Sequence, residues 1–169
     1  MLFIGLIVLI ILVLYVLLIS KYVIGWSNVK IVSKNSFSPK VSIVIIMRNE
    51  ERHLSKLYKC LHSQIYPTNK LEFIIVNDHS TDSTWDLLNE WKLDNLQLLN
   101  MPEDKFGKKN AIKLAVAISS GDIILGSDAD CIFGSNWVSK MVGYFSNTDV
   151  QLVSGPVVFN KQKGFFQKL

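Results

Sequence analysis

The sequence predicts an α/β domain with a mostly parallel sheet and helices on both faces, preceded by one transmembrane helix. After residue 40, strand patterns and helix patterns alternate along the chain, which is typical of that class. The first two strand segments are mainly apolar, as strands covered by helices on both faces are. The membrane helix is indicated by residues 2–19, because none of them is charged and about 20 apolar residues cross a bilayer.

The apolar run is expected to be an uncleaved membrane anchor over residues 1–24. Lys21 closes the run, and Tyr22 and Trp26 follow where aromatic residues meet the membrane interface. A cleaved signal peptide is the main alternative, but the sequence lacks its basic start, its shorter apolar core and its small-residue cleavage site. A buried helix of a soluble core is the third alternative.

The basic residues predict the orientation of the anchor. Lysines follow the apolar run and none precedes it, so the positive-inside tendency places the rest of the chain in the cytoplasm. Some of the net charge of +4 lies near the membrane, where anionic headgroups are an expected partner. The basic residues are scattered and only two are arginine, so no nucleic-acid partner is indicated. The two cysteines lack metal-site spacing and fit a reducing compartment.

A juxtamembrane linker is predicted over residues 25–39 and the soluble domain over residues 40–169. The first strand, residues 41–47, is β-branched and apolar and stops at the polar triplet RNE. A helix follows over residues 51–62, with apolar residues at spacings of three and four.

The middle of the domain is expected to hold two more strands with a helix between them. Residues 72–76 form the second strand, which ends at the triplet NDH. Ser80 and Thr81 are candidate caps, so the next helix is predicted to begin there and to run to about Lys92. A short strand follows over residues 95–99.

The last part of the domain is expected to contain two helices around a strand. A helix over residues 108–119 is predicted to end at Gly121 in a left-handed conformation. The strand over residues 122–125 leads into Asp128. The last predicted elements are a helix over residues 136–145 and an extended segment over residues 150–159.

Three of the predicted strands end in polar clusters. The clusters are Arg48-Asn49-Glu50, Asn77-Asp78-His79 and Asp128-Ala129-Asp130. Taken singly, each could be an ordinary loop. The carboxyl ends of parallel strands lie at one edge of a sheet, however, and ligands bind in the crevice outside them. This convergence is the main indication of function.

Asp128 and Asp130 are candidate ligands of a divalent cation. Carboxylates one residue apart at a turn can face the same side, and Mg²⁺ or Mn²⁺ completes its shell with water and phosphate oxygens. A metal held there would neutralise a diphosphate leaving group. The alternative is that both aspartates cap or turn the chain before the next helix, and this alternative is favoured for so short a motif taken alone.

Asp78, Glu50 and Lys108 are the other candidate binding residues. Asp78 can accept a hydrogen bond from a nucleobase or a ribose, or it can form an Asx-turn. Glu50 can face a nucleoside, or it can favour the first helical turn through the helix dipole. Lys108 can reach a phosphate or remain a solvated surface residue. His53 and His79 are expected to be loop or surface residues.

Four stretches of the chain have a recognisable order and spacing: VSIVIIMRNEE, EFIIVNDHSTDST, GKKNAIKLAVAISSGDIILGSDADC and the following SNWV. Together they resemble the nucleotide-binding half of family 2 glycosyltransferases with the GT-A fold, over about residues 40–159. The resemblance implies a Rossmann-like GT-A nucleotide-sugar-binding domain. By motif position, Asp78 would hold the base, Asn49 and Glu50 would lie beside the nucleoside, and Lys108 would approach the phosphates.

The resemblance also implies a metal and an acceptor. Asp128 would contact the ribose or the sugar and share the metal, Mg²⁺ or Mn²⁺, with Asp130, which would also meet the diphosphate. The donor is expected to be a nucleotide-sugar, most simply one linked to uridine diphosphate. The anchor resembles that of inverting members that act on lipid or polysaccharide acceptors at the cytoplasmic face of the membrane.

The sequence departs from the family pattern in two ways. Asn77 stands where many members have an aspartate, and His79 replaces a frequent glycine. The later acidic motif that supplies the general base and the Q-x-x-R-W motif are absent, since Asp149 is the only acid after Asp130. The general base is therefore expected beyond residue 169, and the domain is expected to be incomplete, with the acceptor half absent.

Three other functions are alternatives. One is a non-catalytic, membrane-tethered domain that binds a nucleotide-sugar or a partner, which the absent motifs favour. Another is a sugar-phosphate nucleotidyltransferase, which the lack of glycines in the sequence RNEE disfavours. The last is a plain interaction domain, against which the three converging polar clusters argue.

Overall fold

A computed structural model of the chain describes residues 2–28 and 37–158. Its internal contacts divide the chain into two units, residues 1–33 and residues 34–169. Most of the predicted linker and everything predicted after residue 158 lie outside the described residues.

The first unit contains the helix α1, Leu2–Ser27. It is apolar around its whole circumference, which is a property of helices that lie in a membrane or a large core. At about 1.5 Å per residue, its 26 residues exceed the roughly 30 Å thickness of a hydrocarbon layer. The helix is therefore long and apolar enough to span a membrane, and it ends inside the predicted linker rather than before it.

The second unit confirms the predicted α/β class. Its helices and strands alternate as β1 (Val41–Met47), α2 (Glu51–His62), β2 (Leu71–Asn77), α3 (Thr84–Asn89), β3 (Leu96–Asn100), α4 (Lys108–Ile118), β4 (Ile123–Asp128) and α5 (Trp137–Gly143). The strands of the described residues form one sheet in the order β3-β2-β1-β4, with every neighbouring pair parallel.

Alternate residues of β1 enter two cores, one on each face of the sheet. Ile43 and Ile45 belong to the larger core, which contains the apolar sides of α2, α3 and α5. Val44 belongs to the smaller core, which contains Ala111 and Ala115 of α4. Helices therefore cover both faces of the central strand, as the apolar strand sequences predict.

β4 is less covered than the sequence predicts. Among the described strands it pairs only with β1, so it is the outermost strand on that side of the sheet. Leu125 packs into the larger core, whereas Ile124 is 42% exposed. The expectation that Asp128 ends a buried strand is therefore met on one face of β4 only, and Asp128 itself is exposed to solvent.

A buried carboxylate ties together the amino ends of the strands. Glu72 on β2 is 5% exposed and accepts hydrogen bonds from the Ser42 hydroxyl and from the backbone N–H (2.6 Å) and hydroxyl (2.7 Å) of Ser120. Burial by itself raises the pKa of Glu72, but the hydrogen bonds from Ser42 and Ser120 outweigh burial and hold the pKa below its ordinary value. The network joins β1, β2 and the start of β4 at the edge opposite the polar clusters.

Gly121 has a different role from the predicted one. α4 ends at Ile118, Ser119 leaves the helix with extended backbone, and Gly107 is the one glycine of the described residues with a positive φ. A Cβ atom on Gly121 would lie 2.5 Å from the backbone nitrogen of Ser42. Glycine stands there because β1 approaches closely, and the predicted left-handed cap is wrong.

Three other predicted segments differ from the structure. α3 begins at Thr84 and ends at Asn89, so it is shorter at both ends than predicted, because the residues before it bond to another loop. α5 ends at Gly143 and continues as a short 3₁₀ turn, Tyr144–Ser146. Residues 150–158 form no part of the sheet.

Candidate functional site

The carboxyl ends of β1, β2 and β4 lie side by side, as the sequence predicts. Met47 on β1 pairs with Asn77 on β2, and Ile46 pairs with Asp128 on β4. The loops after these strands therefore leave the sheet at the same edge. All three polar clusters meet there.

The loops after β1 and β2 are joined by hydrogen bonds between them. The backbone N–H of Asn49 donates to the Ser80 hydroxyl (3.0 Å), and the backbone N–H of Thr81 donates to the Asn49 side-chain oxygen (2.7 Å). The backbone N–H of Glu50 donates to the Thr84 hydroxyl (2.8 Å). Ser80 and Thr81, predicted as helix caps, instead hold the first loop in place.

Glu50 has a partner that the sequence analysis missed. Its carboxylate lies 2.6 Å from Nδ1 of His53, three residues further along the chain in the first turn of α2. Glu50 stands at the N-cap position, but its side chain makes no capping hydrogen bond. The two side chains are about one-quarter to one-third exposed, so this pair is partly open to solvent. The spacing of three residues at a helix start is the signal that could have revealed it.

Asp78 is the most deeply buried residue of the predicted set, at 5% exposure. Its carboxylate accepts hydrogen bonds from the backbone N–H of Gly107 (3.1 Å) and from Nδ1 of His79 (3.0 Å). The carboxylate of Asp78 makes these longer-range bonds rather than the Asx-turn that was considered for it, while the side-chain oxygen of its neighbour Asn77 accepts from the backbone N–H of Ser80 (3.3 Å), three residues further along the chain. Asp78 therefore holds the loop before α4.

His79 is more than a surface loop residue. Its backbone is left-handed, with φ at 58°, and its ring stacks on that of Phe106 with centroids 4.3 Å apart. Sequence reasoning missed this contact because the two residues are 27 positions apart and follow no periodic pattern.

Lys108 and Asp128 form an ion pair. The Lys108 ammonium lies 2.5 Å from the Asp128 carboxylate, and both side chains are 62% exposed. The first residue of α4 thus reaches across the edge of the sheet to the end of β4. A cationic group at this helix start has a carboxylate partner, and the pair is open to solvent.

Asp130 is not part of that ion pair. It lines a small depression of about 170 Å³ together with His53, Lys56, Cys131 and Ile132. In the parts of the chain that the structure describes, no three metal-ligating side chains of the His, Cys, Asp or Glu types come together. Asp128 and Asp130 are exposed carboxylates whose oxygens nevertheless suit Mg²⁺ or Mn²⁺. Such ions are commonly held by one or two carboxylates together with phosphate oxygens.

Comparison with known proteins identifies a family. A family model described as "Glycosyl transferase family 2" matches residues 42–169. The chain is 32% identical over 128 residues to glycosyltransferase AglE of Haloferax volcanii, covering 75% of this chain and 42% of that protein. It is 31% identical over 134 residues to a beta-monoglucosyldiacylglycerol synthase of Nostoc, covering 77% of this chain and 29% of that protein.

A solved structure has the same fold. The mannosyltransferase PcManGT of Pyrobaculum calidifontis, solved in complex with GDP-Man and Mn²⁺, superposes with a TM-score of 0.68 at 25% identity. The match covers 78% of this chain and 40% of that one. The chain therefore spans less than half the length of each of these relatives.

Proposed function

Because the chain belongs to glycosyl transferase family 2, we propose that it is the donor-binding part of a glycosyltransferase. The reaction moves a sugar from a nucleotide-sugar, with uridine diphosphate as the nucleotide, to an acceptor. The observation that carries this proposal is the meeting of three carboxylate-bearing strand ends at one edge of a parallel sheet. That edge is where α/β sheets bind nucleotides.

Each polar group at the edge has a proposed role. Asp78 accepts a hydrogen bond from the nucleobase, since its carboxylate retains acceptor capacity beyond the two donors that hold it. Asn49 and Glu50 lie beside the nucleoside. Lys108 exchanges its partner Asp128 for the donor phosphates, and its 62% exposure leaves it free to move. Asp128 then contacts the ribose or the sugar.

The proposed metal is Mg²⁺ or Mn²⁺, held by Asp130 and Asp128. A bound divalent cation supplies charge neutralisation for the diphosphate leaving group. The solved mannosyltransferase is in complex with Mn²⁺, and the carboxylate oxygens of Asp128 and Asp130 suit the same ion. The pairing of Asp128 with a lysine shows that a positive charge is accommodated at this carboxylate.

The acceptor is proposed to be a lipid or glycan at the cytoplasmic face of the membrane. α1 is apolar enough to serve as a single-pass anchor, with residues 1–24 as its predicted core. One relative is named as a synthase of a glucosylated diacylglycerol. The transfer inverts the anomeric centre, and residues 40–169 form the donor-binding domain.

A second candidate is a non-catalytic domain that binds a nucleotide-sugar or a partner subunit. The favouring observation is that Asp149 is the only acidic residue after Asp130 in the sequence, so the later acidic motif of the family does not occur in it. Donor binding is common to both candidates, whereas transfer belongs to the first.

The test is calorimetric titration of the full chain in detergent micelles with UDP and with GDP, each with and without Mn²⁺. We expect Mn²⁺ to tighten UDP binding in the wild type and to have no effect on Asp130→Ala. Asp94→Ala is the matched control, because Asp94 is an exposed aspartate just before β3, at the opposite edge of the sheet. A well-folded wild type that binds neither nucleotide would contradict the proposal.

A further inference from the structure

Three non-covalent contacts and the peptide bond between Phe106 and Gly107 close a cycle around the carboxylate of Asp78. His79 donates from Nδ1 to one carboxylate oxygen (3.0 Å), and its ring stacks on Phe106 with centroids 4.3 Å apart. Phe106 precedes Gly107, whose N–H donates to the other oxygen (3.1 Å). This cycle of contacts runs from Asp78 through His79, Phe106 and Gly107 and back to Asp78.

The backbone at two of these positions is in the left-handed region. Gly107 has a φ of 91°, which glycine adopts at no steric cost. His79 has a φ of 58°, which is uncommon for a residue with a Cβ and persists where the surroundings hold it. Glycine would adopt this backbone at lower cost, and what a histidine adds at this position is its side-chain contacts.

The side chain of His79 makes one polar contact and one apolar contact. Because a carboxylate only accepts, Nδ1 of His79 carries the hydrogen that meets Asp78. Nε2 is buried and has no hydrogen-bond partner among the described residues. The face of the imidazole ring lies against Phe106, which is 58% exposed with this contact in place. The imidazole thus orients the carboxylate while it holds an exposed aromatic residue in place.

We propose that His79 and Phe106 are positioning residues for donor binding. They fix the rotamer of Asp78 and hold the loop of residues 102–107 against it, so that the nucleobase meets an acceptor that is already oriented. The same contacts set the start of α4, and with it Lys108, beside the end of β4. Pre-organisation of this kind improves affinity by lowering the cost of ordering the site.

This inference rests on the proposed function, because it assigns how the same site receives its donor. The competing explanation is that His79 is a turn residue with no role in binding. The two explanations differ for His79→Gly. Glycine relieves the left-handed strain and leaves the turn intact, but it removes both the hydrogen bond to Asp78 and the stack on Phe106.

The experiment measures UDP affinity and amide hydrogen exchange on the full chain in detergent micelles. We expect His79→Gly to remain folded, to weaken UDP binding about tenfold, and to speed exchange in residues 102–107. Phe106→Leu, which removes the stack alone, is expected to weaken binding a few-fold. His79→Asn, whose short amide tolerates the left-handed backbone and can donate to Asp78, is expected to recover part of the affinity.

Asn95→Gly is the matched control. Asn95 also has a left-handed backbone, with φ at 57°, and its side chain makes two hydrogen bonds, but it lies just before β3 at the opposite edge of the sheet. We expect it to leave UDP affinity and loop exchange unchanged.

Two outcomes would overturn different claims. A wild type that binds UDP, with His79→Gly binding equally well and unchanged exchange in residues 102–107, would overturn the positioning role alone. A wild type that binds neither UDP nor GDP would overturn the proposed function and the role in donor binding that rests on it.

Discussion

Replacing the buried carboxylate of Glu72 by an amide should destabilise the domain without affecting the site. Glu72→Gln keeps the shape of the side chain but removes the charge that accepts hydrogen bonds from Ser42 and Ser120. A hydrogen bond to a charged group contributes about 1.5–3 kcal/mol and a neutral one about 0.5–1.5. Since the glutamine retains some of these bonds, we expect a loss of about 1–2 kcal/mol in the free energy of unfolding at pH 7.

The loss should depend on pH with a definite sign. The pKa of Glu72 is lower in the folded state than its ordinary 4.5, so the unfolded state binds more protons as the pH falls. The charge therefore stabilises the fold above this ordinary pKa, and the stabilisation is lost as the pH falls through the folded pKa. The difference between wild type and Glu72→Gln should shrink below about pH 4.5.

Urea unfolding followed by tryptophan fluorescence, on the full chain in micelles, measures this difference. Glu90→Gln is the matched control, because Glu90 is exposed at the end of α3 and should change stability by less than about 0.5 kcal/mol. Equal stability of Glu72→Gln and wild type at pH 7, or a difference that grows as the pH falls, would contradict a stabilising role of the Glu72 charge. UDP affinity should be the same in both, because the network lies at the amino edge of the sheet.

Three further predictions follow from single contacts. Gly121→Ala should cost about 2–3 kcal/mol in urea unfolding, since its Cβ would lie 2.5 Å from the Ser42 nitrogen, whereas Gly126→Ala meets no atom within 4 Å and should cost far less; equal losses would contradict the close-approach argument. Lys108→Met should change stability by less than about 0.5 kcal/mol, because the ion pair is exposed, but should weaken UDP binding about tenfold; unchanged affinity in the titration would exclude a phosphate contact. Asp78→Asn should weaken uridine binding measured without metal, and a variant that fails to fold would instead favour a purely structural role for this carboxylate.

The sequence predicted correctly that three polar clusters meet at one edge of the sheet, because their positions depend on local signals. Apolar runs define the strands, and a polar triplet ends each of three runs. Parallel pairing then places the ends together without any knowledge of side-chain contacts. For the same reason, Asp78 and Asp128 could be named as candidates before their partners were known.

The parts that the sequence did not predict depend on contacts between distant residues. The stack of His79 on Phe106 and the hydrogen bond from Gly107 to Asp78 join segments that no pattern connects. Ser80 and Thr81 have the composition of caps, but their bonds go to Asn49 across the edge of the sheet, which shortens α3. A local propensity rule describes what these residues favour, and tertiary contacts decide which partner they take.

Gly121 illustrates the same limit. Its position after a helix is typical of a left-handed cap. A glycine is required there, however, because the backbone of β1, about 80 residues earlier in the chain, leaves no room for a Cβ atom. The exposure of β4 likewise depends on which neighbours the strand has, and its apolar sequence alone does not contain that information.

The most direct test of the account is hydrogen exchange of the full chain, in micelles, with and without UDP and Mn²⁺. We predict protection in four segments at the carboxyl edge of the sheet: residues 48–50, 78–81, 106–108 and 128–131. We predict no change in residues 92–95 and 119–122 at the opposite edge. Protection confined to other segments, or none at saturating nucleotide, would contradict the assignment of this edge as the donor site.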